Sequence, residues 1–341
     1  MSTLTAPPLA PPVTPPAALL AALDEVAIDT ATWTARVGTR DVPGGSPRDL
    51  RAHLVAVLYE VLHAGRAEEK DLGRVLREHD VEQVLAAAIP HPTSPRAARL
   101  VRHLDPADGA DPSADPGSTG DAVVDLGDVR VRVPAAVVPA GWEVGEVRVL
   151  DLPAGRPALS HGFFMVDGPL GMPRAADGLR RVYVHAVDHD AAATAWRRAM
   201  TALNAVDAPY RTKTLSHRDG YPRRDAIVVY LPAAAADLAG VVAEAVAGLP
   251  RIADDTSLFA ERLAPGVAIA DDPADPRPQY RELSFGEHRA SIAATAVVRR
   301  ADAADPASDL AAIFAEECDR AGVLPATPAF NAPASAADAA A

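Results

Sequence analysis

The chain has 341 residues, enough for one large domain or two ordinary ones with a sizeable core. Its formal net charge of -13 repels nucleic acid and anionic membranes, so an anion-binding role has to rest on a local basic patch. One cysteine, Cys318, excludes an intrachain disulfide and a cysteine-rich zinc site.

Aromatic residues make up only 4% of the chain, while alanine, proline, aspartate and arginine abound, so single Ala, Pro or Arg residues carry little information. Residues 1–17 form a Pro/Ala-rich tail that cannot bury a core and is expected to be disordered. They lack the basic n-region of a signal peptide, and no apolar run reaches the length of a membrane span. The expectation is a cytoplasmic protein.

Residues 18–104 read as helical. Leu54, Leu58 and Leu62 recur every four residues, with Val55, Val57 and Val61 widening the apolar stripe. Residues 105–120, dense in Asp, Pro, Gly and Ser, read as a flexible linker. The period then changes to two: Val129, Val131 and Val133 alternate with polar residues, as do Val147 and Val149, and 161–166 and 181–187 look extended. Helical spacing returns at Trp196, Ala199, Met200 and Leu203, and again from Leu238 to Val246. A last helix opens at Leu310, Ile313 and Phe314, with Asp305 as cap, Pro306 in its first turn and Gly322 as its stop. The predicted class is α+β: a helical N-terminal part followed by a mixed or antiparallel sheet domain over 121–328, with a disordered tail at 329–341.

Two of the 33 basic residues are lysines, Lys70 and Lys213. Arginine stays protonated, whereas a lysine can lose its proton and serve as a base, so a lysine among arginines is informative. Lys70 lies in the charged run Glu68-Glu69-Lys70-Asp71 and reads as a solvated surface residue. Lys213 sits in a basic island with Arg211, Arg218, Arg223 and Arg224 against Asp219 and Asp225. If 210–215 is a strand, Arg211 and Lys213 share a face, roughly 7 Å apart. A loop over 216–224 could then return Tyr221 and Arg224 to that face before the apolar run Ala226 to Leu231. The competing reading is a solvated hairpin edge.

A second candidate is Ser284-Phe-Gly-Glu-His-Arg289 at a helix start. Ser284 with Glu287 three residues on spells a capping box. Backbone N–H groups there, with His288 and Arg289, could also meet a phosphate. Ser160-His-Gly-Phe-Phe-Met165 is weaker, and Gly162 reads as a strand bulge. His185 and His189 fall where strand passes to turn, which argues against a metal site. No Gly-rich nucleotide loop or GxSxG elbow is present, so no cofactor is expected.

At these residues the sequence resembles the HopA-type family, named for a bacterial type III secretion effector, and its actinobacterial relatives associated with lanthipeptide and thioamitide pathways. The resemblance runs from about Val55, with Leu58-Tyr-Glu60, His63 and Gly65, to about Val298. It is densest at Leu203-Asn204, Pro209-Tyr-Arg-Thr-Lys213, Tyr221-Pro-Arg-Arg-Asp225 and Val229-Tyr-Leu231, then at Leu263-Ala-Pro-Gly266, Ala270-Asp-Asp272, Ser284-Phe-Gly286 and Arg289. The chain departs at His161, where the family's Ser-Pro-Gly-Phe carries proline. The resemblance implies a phosphoserine/phosphothreonine lyase acting on a precursor peptide phosphorylated by a kinase-like partner, leaving dehydroalanine or dehydrobutyrine. It implies Lys213 as base, Tyr221 as a donor to the enolate or leaving oxygen, and His288 or His217 as a general acid. Arg211, Arg224 and Arg289, with Ser284, would hold phosphate, and Asp225 would orient an arginine. A non-catalytic phosphopeptide- or precursor-peptide-binding protein fits the same basic island.

Overall fold

The computed structural model describes residues 14–68, 77–104, 120–127, 129–174, 178–235, 237–303 and 309–333. Lys70 and most of the expected linker lie outside these residues, as do Asp305, Pro306 and most of both expected tails.

Helix α1 (Ala17–Asp24) leads into a three-stranded meander of β1 (Ala27–Asp29), β2 (Thr34–Val37) and β3 (Arg40–Val42). The part read as helical thus also holds a small sheet, whose Ala35, Val37 and Val42 cover one flank of the helix that follows. That helix, α2 (Pro47–Leu58), starts where Ser46 Oγ accepts from Asp49 N and Pro47 takes the first helical position. Its leucines at 50, 54 and 58 are fully buried, as the four-residue spacing predicts. The last turn widens into a π-turn at Tyr59–His63, closed by Ala64 N to Tyr59 O at 2.9 Å. Helix α3 (His79–Ala87) precedes β4 (Thr93–His103), β5 (Ala122–Asp125), β6 (Arg130–Val133) and β7 (Val147–Pro153). These strands form a four-stranded sheet, order β6-β5-β4-β7, around Leu100, Val124, Val133 and Trp142.

Across Ala154, β7 passes into the central sheet. Its strands are β8 (Gly155–Ser160), β9 (Phe163–Asp167), β10 (Leu179–Ala186), β11 (Arg211–Leu215), β12 (Arg223–Pro232), β13 (Glu261–Ala264) and β14 (Val267–Asp271). They run antiparallel in the order β13-β14-β10-β12-β11-β9-β8. The apolar run Ala226 to Leu231 lies mid-sheet in β12, buried on both faces, which is what an unbroken run of this kind needs. Helices α4 (His189–Ala205) and α5 (Leu238–Val246) cover one face, packing Trp196, Met200, Leu203 and Val242 on Val182, Ile227 and Val229. The other face receives α2, α6 (Phe285–Ala301) and α7 (Leu310–Arg320), which enclose Tyr183, Val228, Phe285 and Phe314. The architecture is α+β, with N-terminal helices followed by antiparallel sheets interspersed with helices.

Helix α7 is capped by Asp309, whose carboxylate accepts from Ala311 N, and stops at Gly322 with φ +65°. Residues 329–331, assigned by sequence to the tail, are packed instead. Ala329 is buried, and Asn331 bridges to Val323 and donates to Asp272 O at 2.7 Å. Among the described residues no helix is long and apolar enough to cross a membrane.

Leu54 is enclosed between α2 and α6, so Leu54→Ala should leave a cavity costing about 2–5 kcal/mol. A lower urea midpoint at unchanged slope is the expected reading.

Candidate functional site

Alternation on β11 sends Thr212 and Thr214 to the α4 face and Arg211 and Lys213 to the opposite one. Thr212 is tied there by Trp196 Nε1 at 2.8 Å, which fixes the register of the strand. In register with Lys213 are Met165 on β9 and Val228 on β12, and Tyr183 on β10 lies beyond Val228. Between Arg223 and Ile227 the pairing with β10 slips, and the resulting bulge turns Asp225 to the Lys213 side. From above, the π-turn lowers Tyr59 and His63 onto the sheet, and the start of α6 brings Ser284, Gly286 and Glu287.

These residues, with Phe163, Arg181 and Val228, enclose a pocket of about 240 Å³. Gly286 permits the approach. A Cβ there would lie 2.3 Å from His63 Cδ2 and 2.5 Å from Tyr59 Cε2. Lys213 Nζ sits 4.1 Å from the centroid of the Phe163 ring, a cation–π distance. Among the described residues it makes no hydrogen bond or ion pair. Asp225, by contrast, is fully engaged: Arg223 donates from Nε at 2.7 Å and Nη2 at 2.9 Å, and Tyr59 Oη at 3.1 Å. Burial opposes its charge, but the Arg223 guanidinium and His63 hold its carboxyl well below the usual carboxylate range.

His63 is buried, with Nδ1 2.8 Å from Ser257 Oγ and Nε2 3.7 Å from Asp225 Oδ2. Burial outweighs the nearby carboxylate and pushes its imidazole down to about 4, so it is neutral near pH 7. Arg181 pairs with Asp272 and lies 5.1 Å over the Tyr230 ring. Tyr183 Oη beside it is buried and has no hydrogen bond of good geometry among the described residues, its nearest polar neighbour being the Arg181 guanidinium. A hydroxyl so placed in a pocket wall is a group available to a ligand. The pocket therefore holds an amine, a guanidinium face and a phenol in a confined space, beside the paired carboxylate of Asp225 and the capping carboxylate of Glu287.

The residues singled out from sequence divide sharply. Lys213, Asp225 and Ser284 line the pocket. Ser284 caps α6 in a capping box, its Oγ accepting from Glu287 N and its own N donating to Glu287 Oε2. Arg211 shares the Lys213 face but is bonded to Asp167 at 2.6 Å and turns into a neighbouring cleft.

Tyr221 does not return to that face. The short turn Arg218–Gly220 delivers it to the α4 side, where its hydroxyl donates to Leu215 O at 3.0 Å. Arg224 points away from the pocket, packing on Gly65 and pairing with Asp255 at 2.7 Å. His217 caps the same short turn, its Nδ1 accepting from Asp219 N. His288 and Arg289 are buried in α6, outside the pocket lining. His288 faces Asp275 at 2.8 Å, and its imidazole is pushed down to about 4 by burial and by Arg289. Arg289 holds Pro328 O and Asn331, which secures the C-terminal segment. Tyr59, His63, Arg181, Tyr183, Phe163 and Gly286 were not singled out as site residues. Of these, Tyr59 and His63 carried a usable signal, a polar pair four apart at the end of an apolar helical stripe.

Among the described residues no group of three or more His, Cys, Asp or Glu could hold a metal ion. A family model described as the HopA1 effector protein family matches residues 154–330, just over half of the chain. The chain belongs to that family. Two solved structures are similar over 84% of this chain and 91% of theirs: the effector protein from Pseudomonas syringae pv. tomato strain DC3000, 14% identical with a TM-score of 0.45, and that from Pseudomonas syringae pv. syringae strain 61, 11% identical with a TM-score of 0.44. No curated protein matches the chain significantly. Within this HopA1-family chain, Lys213, Asp225, Arg181 and Tyr183 come from the matched segment, while Tyr59 and His63 come from before it.

Gly286→Ala should displace Tyr59 and His63, with a loss of about 1–3 kcal/mol from the forced repacking. Denaturant melts test this. Acidification gives a second test. Unfolded imidazoles near 6.5 take up protons that His63 and His288, near 4, refuse, so stability should fall as pH drops from about 6.5 to 4. His63→Gln should flatten that slope in melts taken across the window.

Proposed function

We propose that the Lys213 pocket binds the phosphorylated side chain of a serine or threonine in a peptide. One observation carries this reading: a primary amine that makes no ion pair among the described residues lies over Phe163, in a small pocket shared with Arg181 and the Tyr183 hydroxyl. A phosphate on a short side chain is matched by a guanidinium and a hydroxyl donor, with an amine close beside them. The acidic chain repels anions in general, so selective capture would rest on this local arrangement.

On that reading the reaction is β-elimination. Lys213 removes the α-proton of the bound residue. The C–H electron pair forms the Cα=Cβ double bond, the Cβ–O bond breaks, and inorganic phosphate departs with the Cβ–O bonding pair. The products are dehydroalanine from phosphoserine or dehydrobutyrine from phosphothreonine, and lysine is left as the ammonium. Arg181 and the Tyr183 phenol would stabilise charge developing on the enolate and the phosphate. The phosphorylated residue would be supplied by a kinase-like partner acting on a precursor peptide, as in lanthipeptide-type pathways.

A non-catalytic phosphopeptide-binding protein is the second reading. It is favoured by the positions of Tyr221, His217 and His288, which leave the leaving oxygen without the general acids expected from sequence. Phosphate is a good enough leaving group that elimination can proceed without one.

The two readings separate on incubation of the protein with a phosphothreonine peptide, followed by mass spectrometry. Elimination removes the mass of phosphoric acid from the peptide. Lys213→Arg should lower the rate by at least about 10²-fold while leaving peptide binding in place. Near wild-type turnover in that variant would remove the base, and binding without any mass loss in the wild type would establish the second reading.

A further inference from the structure

The outermost strands of the three sheets are β1, β3, β6, β7, β8 and β13. An open strand edge pairs with whatever extended chain it meets, and folded proteins blunt such edges with short strands, proline, bulges or charges. Strands β1 and β3 are three residues long. Strand β8 carries Pro157 with a register shift beside it, and β13 shifts register after exposing Glu261 and Arg262. Strand β6 presents Arg130 and Arg132 to solvent.

Strand β7 is different. Its seven residues pair with β4 without a shift, and Val147 and Val149 are 50% and 65% exposed. Its one arginine, Arg148, folds back on its own loop, donating to Glu146 at 2.9 Å and to Ala140 O at 3.2 Å. At one end of the ladder Leu100 N donates to Glu146 O at 3.0 Å, and at the other Ala154 N donates to Pro92 O at 3.0 Å. Antiparallel bonding alternates along a strand, so the even-numbered residues between these points bond to β4. The N–H and C=O groups of Val147, Val149 and Asp151 therefore face the open edge. The side chains of the same three residues share the exposed face of the sheet, while Leu150 and Leu152 enter the core. Asp151 makes no hydrogen bond or ion pair among the described residues.

We infer that β7 is a docking edge for an extended segment of a different polypeptide, which adds to the four-stranded sheet as an antiparallel strand. The segment sets apolar residues opposite Val147 and Val149 and a lysine or arginine opposite Asp151. Read from its N-terminus, it is basic-x-apolar-x-apolar. A second copy of this chain fits poorly. Pairing about a two-fold axis sets Asp151 of one copy opposite Val147, Val149 or Asp151 of the other wherever most of the strand overlaps, and a carboxylate opposite a valine or another carboxylate gains nothing. The inference is independent of the Lys213 pocket, which lies in the other sheet.

Fluorescence anisotropy on the full chain tests it with a labelled peptide containing Lys-Thr-Val-Thr-Val. Two further versions carry an N-methyl group. One has it on the central valine, whose N–H meets Val149 C=O, and the other on the threonine that follows, whose N–H points away from β7. Two variants alter the exposed face, where a substitution spares the core: Val149→Lys and Asp151→Lys. The parent peptide should bind saturably, and methylation of the central valine or Val149→Lys should each weaken it at least about tenfold. Methylation of the threonine should have little effect. Asp151→Lys should lose the parent peptide and take its Glu-Thr-Val-Thr-Val counterpart instead. Lys213→Arg should bind the parent peptide as wild type does.

Absence of saturable binding at millimolar peptide overturns the proposal, as does equal loss on methylation at either position, which would mean that no strand is added in register. Sedimentation velocity on the full chain reads the other occupant. Concentration-dependent dimers that Val149→Lys abolishes would assign this edge to a second copy and overturn the partner proposed.

Discussion

Asp225 is the point through which the site is assembled. Its buried carboxylate accepts two bonds from Arg223 and one from Tyr59, and it faces His63 at 3.7 Å. Arg223 Nη2 also donates to Tyr59 Oη at 2.7 Å, so the helix end from the N-terminal part is bound to the sheet by a closed triangle of polar contacts. A charge buried this completely is tolerated only when paired and hydrogen-bonded, and removing one partner of such a pair typically costs about 3–5 kcal/mol. The consequence runs both ways. The sheet needs the π-turn to cover Asp225, and the π-turn is held in place by Asp225.

This arrangement leaves Lys213 distinct from every other cation near it. Arg223 is committed to Asp225, Arg224 to Asp255, Arg211 to Asp167 and Arg181 to Asp272. The arginines of the basic island therefore hold elements together, and the lysine in their midst has an aromatic ring where they have carboxylates. Arginine's planar fork suits it to the paired, structural role, and lysine's compact amine to a position where charge is to be gained or lost.

What could be read from the sequence follows from how local each signal is. The leucine spacing of α2, the valine alternation of β6, the capping box at Ser284 and the buried run in β12 are each decided within a few residues, and each appears in the structure. Lys213 was legible through its rarity. Tyr221 and Arg224 were misplaced because a hairpin with an intervening short turn and a bulge does not preserve the parity of a simple strand. His288 and Arg289 were misplaced because α6 is buried nearly all round, so proximity in sequence to the capping box says little about which side they meet. Tyr59 and His63 join the pocket by contacts to Asp225 that span more than 160 residues, and Arg181 and Tyr183 through the pairing of β10 with β12, neither of which a local pattern encodes.

The widened turn at Tyr59–His63 adds a fifth residue to what would otherwise be a four-residue step. Each residue in a helix rotates its side chain by about 100°, so losing one residue here would restore regular winding and swing the phenol and imidazole off Asp225 together. The leucines before the turn would keep their places, but Asp225 would lose a donor and its cover, so a single-residue deletion in the helix end would open the roof of the site and destabilise the floor beneath it.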